Sequence, residues 1–66
     1  MHIMLNGESS EFPLDTTITE LLDVLGYAGK RVAVERNSEI VQKSQHEHTT
    51  LLDGDHVEIV VAVGGG

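Results

Sequence analysis

Hydrophobic and polar residues alternate over several short stretches of the chain, and each such stretch predicts a β-strand. The first is His2–Leu5, in which Ile3 and Leu5 lie two residues apart. Asn6-Gly7 follows directly, and because both residue types tolerate a positive φ, this pair predicts a tight hairpin turn. The chain is therefore expected to begin with a β-hairpin.

The second strand of this hairpin is predicted at residues 11–14, because Phe12 and Leu14 are also two residues apart. Pro13 lies between them. Proline has no N–H to donate to a neighbouring strand, so Pro13 places this strand at an edge of the sheet.

One amphipathic helix is predicted after the hairpin. A capping box marks its start, since Thr17 and Glu20 can satisfy each other's free backbone amides. Four apolar residues then follow with the spacing of a single helix face, namely Ile18, Leu21, Leu22 and Leu25. Gly26 ends the helix, because glycine readily adopts the left-handed conformation found after a helix C-terminus.

Three further strands are predicted in the rest of the chain. Residues 31–36 alternate with Val32 and Val34 facing inward, and residues 39–41 form a short returning strand. The polar residues 42–50 predict an irregular connection. The last strand covers residues 56–63 and has four apolar residues on one face: Val57, Ile59, Val61 and Val63. Asp53-Gly54-Asp55 before it predicts a tight turn, with both aspartates as turn formers.

This order of elements defines the fold class. A helix that connects two strands of one sheet packs across one face of that sheet. We therefore predict an α+β, ubiquitin-like β-grasp fold of outline ββαββ, with a mixed sheet whose first and last strands are parallel at the centre. Residues 1–63 form one domain, because 66 residues are too few for two cores. Residues 64–66 form a flexible C-terminal glycine tail.

The charge of the chain limits its partners. Eleven acidic residues and four Lys plus Arg give a formal net charge of -7, so nucleic-acid phosphates and anionic membranes would repel the protein. We expect neither as a partner, and expect proteins with basic docking surfaces instead. The N-terminus has no signal-peptide pattern and no apolar run is long enough to span a bilayer, so a cytoplasmic protein is expected.

The Gly64-Gly65-Gly66 ending is the strongest candidate for chemistry. Residues without a Cβ atom can pass through a channel that is too narrow for side chains. They also extend the Gly66 carboxylate roughly 10 Å beyond the last strand. A carboxylate presented in this way can be adenylated by another enzyme, and the mixed anhydride is then open to attack by a sulfur nucleophile.

The outward positions of the last strand give a second candidate. They are Glu58, Val60 and Ala62, so this face becomes apolar as the tail approaches, whereas a strand half-exposed to water usually keeps polar residues there. We predict that Val60 and Ala62 form a docking patch for a partner. The alternative is that a loop covers them.

The remaining polar residues predict no site. His46 and His48 offer two metal ligands where a site needs three or four, so we interpret them as surface histidines in a polar loop. The carboxylates predict no cleft of the kind that acid–base catalysis requires. We therefore predict no metal, no cofactor and no catalytic residue, and expect a protein cosubstrate rather than an enzyme.

Taken together, these segments resemble the ThiS family, the sulfur carriers of thiamine biosynthesis. The resemblance covers essentially the whole chain, including residues 32–37 and the final glycines. It implies that a ThiF-like enzyme adenylates Gly66 with ATP and that a cysteine desulfurase supplies the sulfur of a thiocarboxylate. Thiazole synthase would then take up that sulfur. Gly64 and Gly65 correspond to the family's threading glycines.

Other functions remain open from the sequence. MoaD-like carriers supply sulfur to molybdopterin by the same chemistry, but often have prolines just before the final glycines, where this chain has residues 60–63 without proline. Carriers for other sulfur-containing metabolites would also fit. A ubiquitin-like modifier would form isopeptide bonds to lysines, and a simple interaction module would not need its tail.

Overall fold

Residues 1–62 are described in a computed structural model of the chain. They form β1 (His2–Leu5), β2 (Glu8–Glu11), α1 (Ile18–Val24), β3 (Val32–Arg36), β4 (Glu39–Ile40), a 3₁₀ helix (Lys43–His48) and β5 (His56–Val61). The strands make one mixed sheet in the order β2-β1-β5-β3-β4. β5 is central, parallel to β1 and antiparallel to β3, which confirms the predicted ββαββ outline.

The hairpin forms as predicted, but its second strand lies elsewhere. Asn6 and Gly7 have φ angles of 49° and 83°, the left-handed values that a two-residue turn requires. The tight turn starts the pairing at once, so β2 is Glu8–Glu11 and the prediction of a strand at residues 11–14 is wrong. β1 is only four residues long and its first residue, His2, lies opposite Glu11, so Pro13 follows an edge strand instead of lying in one.

α1 begins and ends as predicted. The Glu20 N–H donates to Thr17 Oγ1 at 3.1 Å, and the Thr17 N–H donates to Glu20 Oε1 at 2.9 Å, which completes the capping box. Gly26 follows the helix with a φ of 83°. Ile18, Leu21 and Leu22 are the buried residues of its apolar face. Burying each of these side chains stabilises the fold by about 1.5–3 kcal/mol.

An apolar core lies between α1 and one face of the sheet. Its buried members are Ile3, Ile18, Leu21, Leu22, Val34, Leu51, Val57 and Ile59. The alternation predicted for β5 is confirmed at Val57 and Ile59. Val61 is 42% exposed, so the core ends before the strand does.

The connection at residues 42–50 is more ordered than the sequence predicts. It contains the 3₁₀ helix, and His46 is buried with 7% of its surface exposed. Its Nε2 lies 3.0 Å from the carbonyl oxygen of Val41. The interpretation of His46 as a surface histidine is therefore wrong, because a ring that hydrogen-bonds to a backbone carbonyl can be buried. His48 is exposed, as expected.

Asp55 does more than form a turn. It is 6% exposed, and its carboxylate accepts three hydrogen bonds: from Arg36 Nε at 2.7 Å, from the Leu52 N–H at 2.8 Å and from Asn37 Nδ2 at 3.1 Å. Burial alone would raise the pKa of Asp55, but these hydrogen bonds and the charge of Arg36 outweigh it and hold the pKa below its usual value. The start of β5 is thereby tied to the end of β3.

Asp55→Asn tests this tie through the pH dependence of stability. A carboxylate with a lowered folded-state pKa stabilises the fold above its unfolded pKa, and that contribution is lost as the pH falls through the folded pKa. We expect the variant to lose about 1–3 kcal/mol of unfolding free energy at neutral pH. Below about pH 4 the difference from the parent should shrink. Urea unfolding at several pH values measures both.

Asp15→Asn is the matched control for this experiment. Asp15 is exposed, and its φ of 66° is a left-handed conformation that asparagine also adopts. We expect its unfolding free energy to stay within about 0.5 kcal/mol of the parent's. Equal losses in the two variants would contradict the role assigned to Asp55.

Candidate functional site

β5 leads the chain from the middle of the sheet toward its C-terminal residues. The Ala62 N–H donates to the Arg31 carbonyl at 2.9 Å, one residue beyond the end of the strand. The predicted threading glycines Gly64 and Gly65 and the predicted reactive residue Gly66 lie outside the described residues. The structure therefore describes the part of the candidate site that precedes the glycines, which ends at Ala62.

Hydrogen bonds fix β5 on both sides before it reaches this end. On the β3 side, the Asn37 N–H donates to the His56 carbonyl at 2.7 Å. On the β1 side, the Asn6 N–H donates to the Val57 carbonyl at 2.9 Å, and Asn6 Oδ1 accepts from the Ile59 N–H at 2.8 Å. The single residue Asn6 thus both turns the hairpin and binds β5.

The outward face of β5 is open at the predicted docking patch. Val60 is 59% exposed, and Ala62 is exposed as well. Val60 lies directly opposite Ala33 of β3, which is also exposed. Within residues 1–62 no loop covers this pair, so the alternative of a covering loop does not apply to the described structure. The pair forms an apolar surface near Ala62, the last described residue.

An acidic pair adjoins this apolar pair on the same face of the sheet. Glu35 and Glu58 lie directly opposite each other, and like charges in such a cross-strand pair destabilise a sheet. With His56, Asn37 and Ser38 they line a shallow depression of about 340 Å³. Ala33 and the acidic pair could not be found from the sequence, because their positions depend on the register between β3 and β5.

A second surface lies on the helix side of Ala62. A groove of about 680 Å³ separates α1 from the first residues of β3 and the 3₁₀ helix. Lys30, Arg31 and Lys43 line it, and they are three of the four Lys and Arg residues of the chain. Glu20 and Asp23 line the same groove, so the end of β5 lies between an apolar and acidic sheet face and a groove of mixed charge.

Two further observations concern what residues 1–62 do not contain. No cluster of three or more His, Asp or Glu side chains in this part of the chain could hold a metal ion. No helix in it is long and apolar enough to cross a membrane.

Known proteins resemble the chain over its whole length. The model of the ThiS family matches residues 3–66. The sulfur carrier protein ThiS of Bacillus subtilis (strain 168) is 43% identical over 65 residues, which cover 97% of this chain and 98% of that protein.

Two relatives are much longer proteins. A thiazole synthase of Paramagnetospirillum magneticum is 46% identical over 66 residues, and one of Magnetococcus marinus is 41% identical over 66 residues. Each match covers all of this chain, but the chain spans only 20% of the length of each of these relatives.

Solved structures extend the similarity to three dimensions. The crystal structure of the thiamine biosynthesis protein ThiS from Geobacter metallireducens superimposes with a TM-score of 0.85 at 36% identity, over 100% of both chains. The shared architecture confirms the ubiquitin-like β-grasp fold. Because the family model, a relative of the same length and a solved structure agree along the whole sequence, the chain belongs to the ThiS family.

Proposed function

We propose that this chain is a sulfur carrier protein of thiamine biosynthesis and that its working group is the carboxylate of Gly66. The observation that carries the proposal is the similarity to ThiS from residue 3 to Gly66, on a scaffold whose central strand leads directly into the terminal glycines. The chain is a cosubstrate, not an enzyme. It is recharged in each cycle and works in the cytoplasm, where ATP is available.

The chemistry follows from the terminal carboxylate. A carboxylate oxygen of Gly66 attacks the α-phosphate of ATP on a ThiF-like enzyme, and pyrophosphate leaves. A persulfide whose outer sulfur comes from a cysteine desulfurase then attacks the acyl adenylate and displaces AMP, which gives an acyl disulfide on Gly66. A second thiol cleaves its S–S bond, so that a thiocarboxylate remains on Gly66 and the two donor sulfurs end as a disulfide. Gly64 and Gly65 allow the tail to enter the narrow channel that this reaction needs, because they have no side chains. ATP and any metal belong to the activating enzyme.

Thiazole synthase is the proposed acceptor of the sulfur. The support comes from the two thiazole synthases that contain a segment similar to this whole chain within a polypeptide about five times longer. A carrier-like segment and its acceptor in one polypeptide have a high effective concentration for each other. Separate proteins need a docking surface instead.

The proposed docking surface is the open sheet face around Val60 and Ala62. Exposed apolar residues rimmed by polar ones are typical of binding surfaces. The adjoining Glu35 and Glu58 match a basic surface on the partner, since complementary charges speed association. A partner cation placed between the two carboxylates would also relieve their repulsion.

Mass spectrometry of the intact protein tests the carrier function. After incubation with a ThiF-like enzyme, ATP, a cysteine desulfurase, cysteine and a thiol reductant, we expect the mass to increase by the exchange of one oxygen for sulfur, localised to Gly66. A variant without Gly66 should show no shift. ThiS of B. subtilis is the positive control. If it is loaded while this chain is not, or if this chain becomes amide-linked to lysines instead, the proposal is wrong.

Val60→Asp tests the docking surface. We expect at least tenfold weaker binding to the ThiF-like enzyme, or about 1.4 kcal/mol, because a desolvated carboxylate would face the partner. Folding should be unaffected, since the side chain is exposed. Leu14→Asp is the control, as Leu14 is 76% exposed and follows β2 near the start of β1. Unchanged affinity of the Val60 variant would remove this surface from the proposal.

Glu58→Gln separates stability from binding at the same face. Removing one of two facing carboxylates should raise the unfolding free energy by about 0.2–1 kcal/mol. The same change should slow association with a basic partner and weaken its dependence on salt. Glu8→Gln alters the net charge equally on β2, at the edge of the sheet, and serves as the control. A variant that gains stability and binds as fast as the parent would show that the acidic pair has no part in docking.

A further inference from the structure

The end of β5 extends beyond the strand that flanks it on one side. β1 pairs with β5 only as far as Leu5 and Val57, and the chain then turns away through Asn6-Gly7. On the other side, β3 pairs with β5 as far as Val61. The last residues of this central strand therefore have a neighbour on the β3 side alone.

The hydrogen bonds to β3 show which peptide groups point in which direction. The His56 carbonyl accepts from β3, and the Ala62 N–H donates to the residue before it. Backbone groups alternate between the two sides along a strand. The backbone N–H and C=O groups of the even-numbered residues of β5 therefore point toward β3, and those of the odd-numbered residues point toward β1.

The hydrogen bonds on the β1 side end at Ile59. The Val57 carbonyl accepts from the Asn6 N–H, and the Ile59 N–H donates to the Asn6 side chain. The Ile59 carbonyl and the N–H and carbonyl of Val61 follow on the same side. They have no hydrogen-bond partner among residues 1–62. These three groups have the spacing with which one more strand could pair.

This open edge differs from the two outer edges of the sheet. Native sheets protect exposed edges with charged residues or with very short strands. β2 has the sequence Glu-Ser-Ser-Glu, and β4 is two residues long. The end of β5 is Val60-Val61-Ala62, with no charge after Glu58. Of the three edges, only this one has neither protection within the described residues.

There is also room beside the open edge. Val61 is 42% exposed. Gly7, in the turn where β1 stops, is exposed, and a methyl group built on it would meet no atom within 4 Å. An additional strand in line with β1 would therefore begin next to an exposed turn.

We propose that an extended segment of the enzyme that activates Gly66 adds to β5 at this edge. It accepts a hydrogen bond from the Val61 N–H and donates one to the Ile59 carbonyl. The inference rests on the proposed function, because that function defines the partner. Gly66 lies four residues beyond Ala62, so the carboxylate is at most about 14 Å from Ala62. An enzyme that encloses the tail is thus brought beside Val61, where main-chain pairing adds affinity and sets the direction in which the tail enters.

N-methylation of the Val61 amide tests the pairing, and a chain of 66 residues can be made by chemical synthesis. The methyl group removes the donor and blocks the edge, but leaves every hydrogen bond to β3 in place. We expect at least tenfold weaker binding to the activating enzyme. N-methyl-Ser9 is the matched control, because the N–H of Ser9 also points away from β1, at the protected edge of β2. Amide chemical shifts verify the fold of both proteins.

Amide hydrogen exchange gives a second readout on the unmodified chain. Binding of the activating enzyme should slow exchange at Val61 at least tenfold, with little change at Ile59, whose N–H is already bonded to Asn6. An amide of Val61 that stays unprotected in the complex would overturn the inference. So would an N-methyl-Val61 protein that binds as tightly as the parent.

The outcomes also distinguish this inference from the proposed function. If the unmodified chain is adenylated and the N-methyl-Val61 protein binds equally well, only the pairing is wrong. If the unmodified chain is not adenylated, the proposed function fails and the inference fails with it. A dimer of the unmodified chain in sedimentation experiments, abolished by N-methyl-Val61 with no effect on the enzyme, would assign the edge to a second copy and overturn the proposed occupant.

Discussion

The hydrogen bonds that hold β5 from both sides determine where and in which direction the chain leaves the sheet. Asp55 fixes the start of the strand through Arg36 and the Leu52 backbone, and Asn6 fixes its middle. A terminal carboxylate that another enzyme must find needs such a rigid base, because ordering a loosely attached segment on binding costs free energy. Under the proposed function, the order of the scaffold up to Ala62 is what would make a short glycine ending usable by another enzyme.

Most of the fold could be predicted because its strongest signals are local. Asn6-Gly7, the pair Thr17 and Glu20, and the alternation along β3 and β5 each depend on residues close in sequence. The structure confirms the turn and the capping box, and it confirms the alternation in β5 as far as Ile59. The second strand was displaced because its limits depend on the length of β1, its partner. A strand pattern in one segment does not contain that information.

The errors at single polar residues have the same origin. Asp55 resembles an ordinary turn aspartate in sequence, yet its hydrogen bonds to Arg36 and Asn37 span 19 and 18 residues. His46 is buried because the 3₁₀ helix brings it back to the Val41 carbonyl. At the candidate site, the alternation of residues correctly predicted that Val60 is exposed. Its neighbour Ala33 and the facing pair Glu35 and Glu58 could not be predicted in this way, because their positions depend on the register of β3 against β5.

Two features of β5 are unfavourable for the isolated chain, and the proposed partner would make both of them favourable. Facing carboxylates on the open sheet face repel each other, and a strand edge without charged residues invites pairing with another chain. Elsewhere the same sheet avoids such exposure, with a charged β2 and a very short β4. Unfavourable local interactions in a folded protein tend to gather at functional sites. Both features lie beside the residues that lead to Gly66, which supports the proposal that this end of the sheet binds a partner.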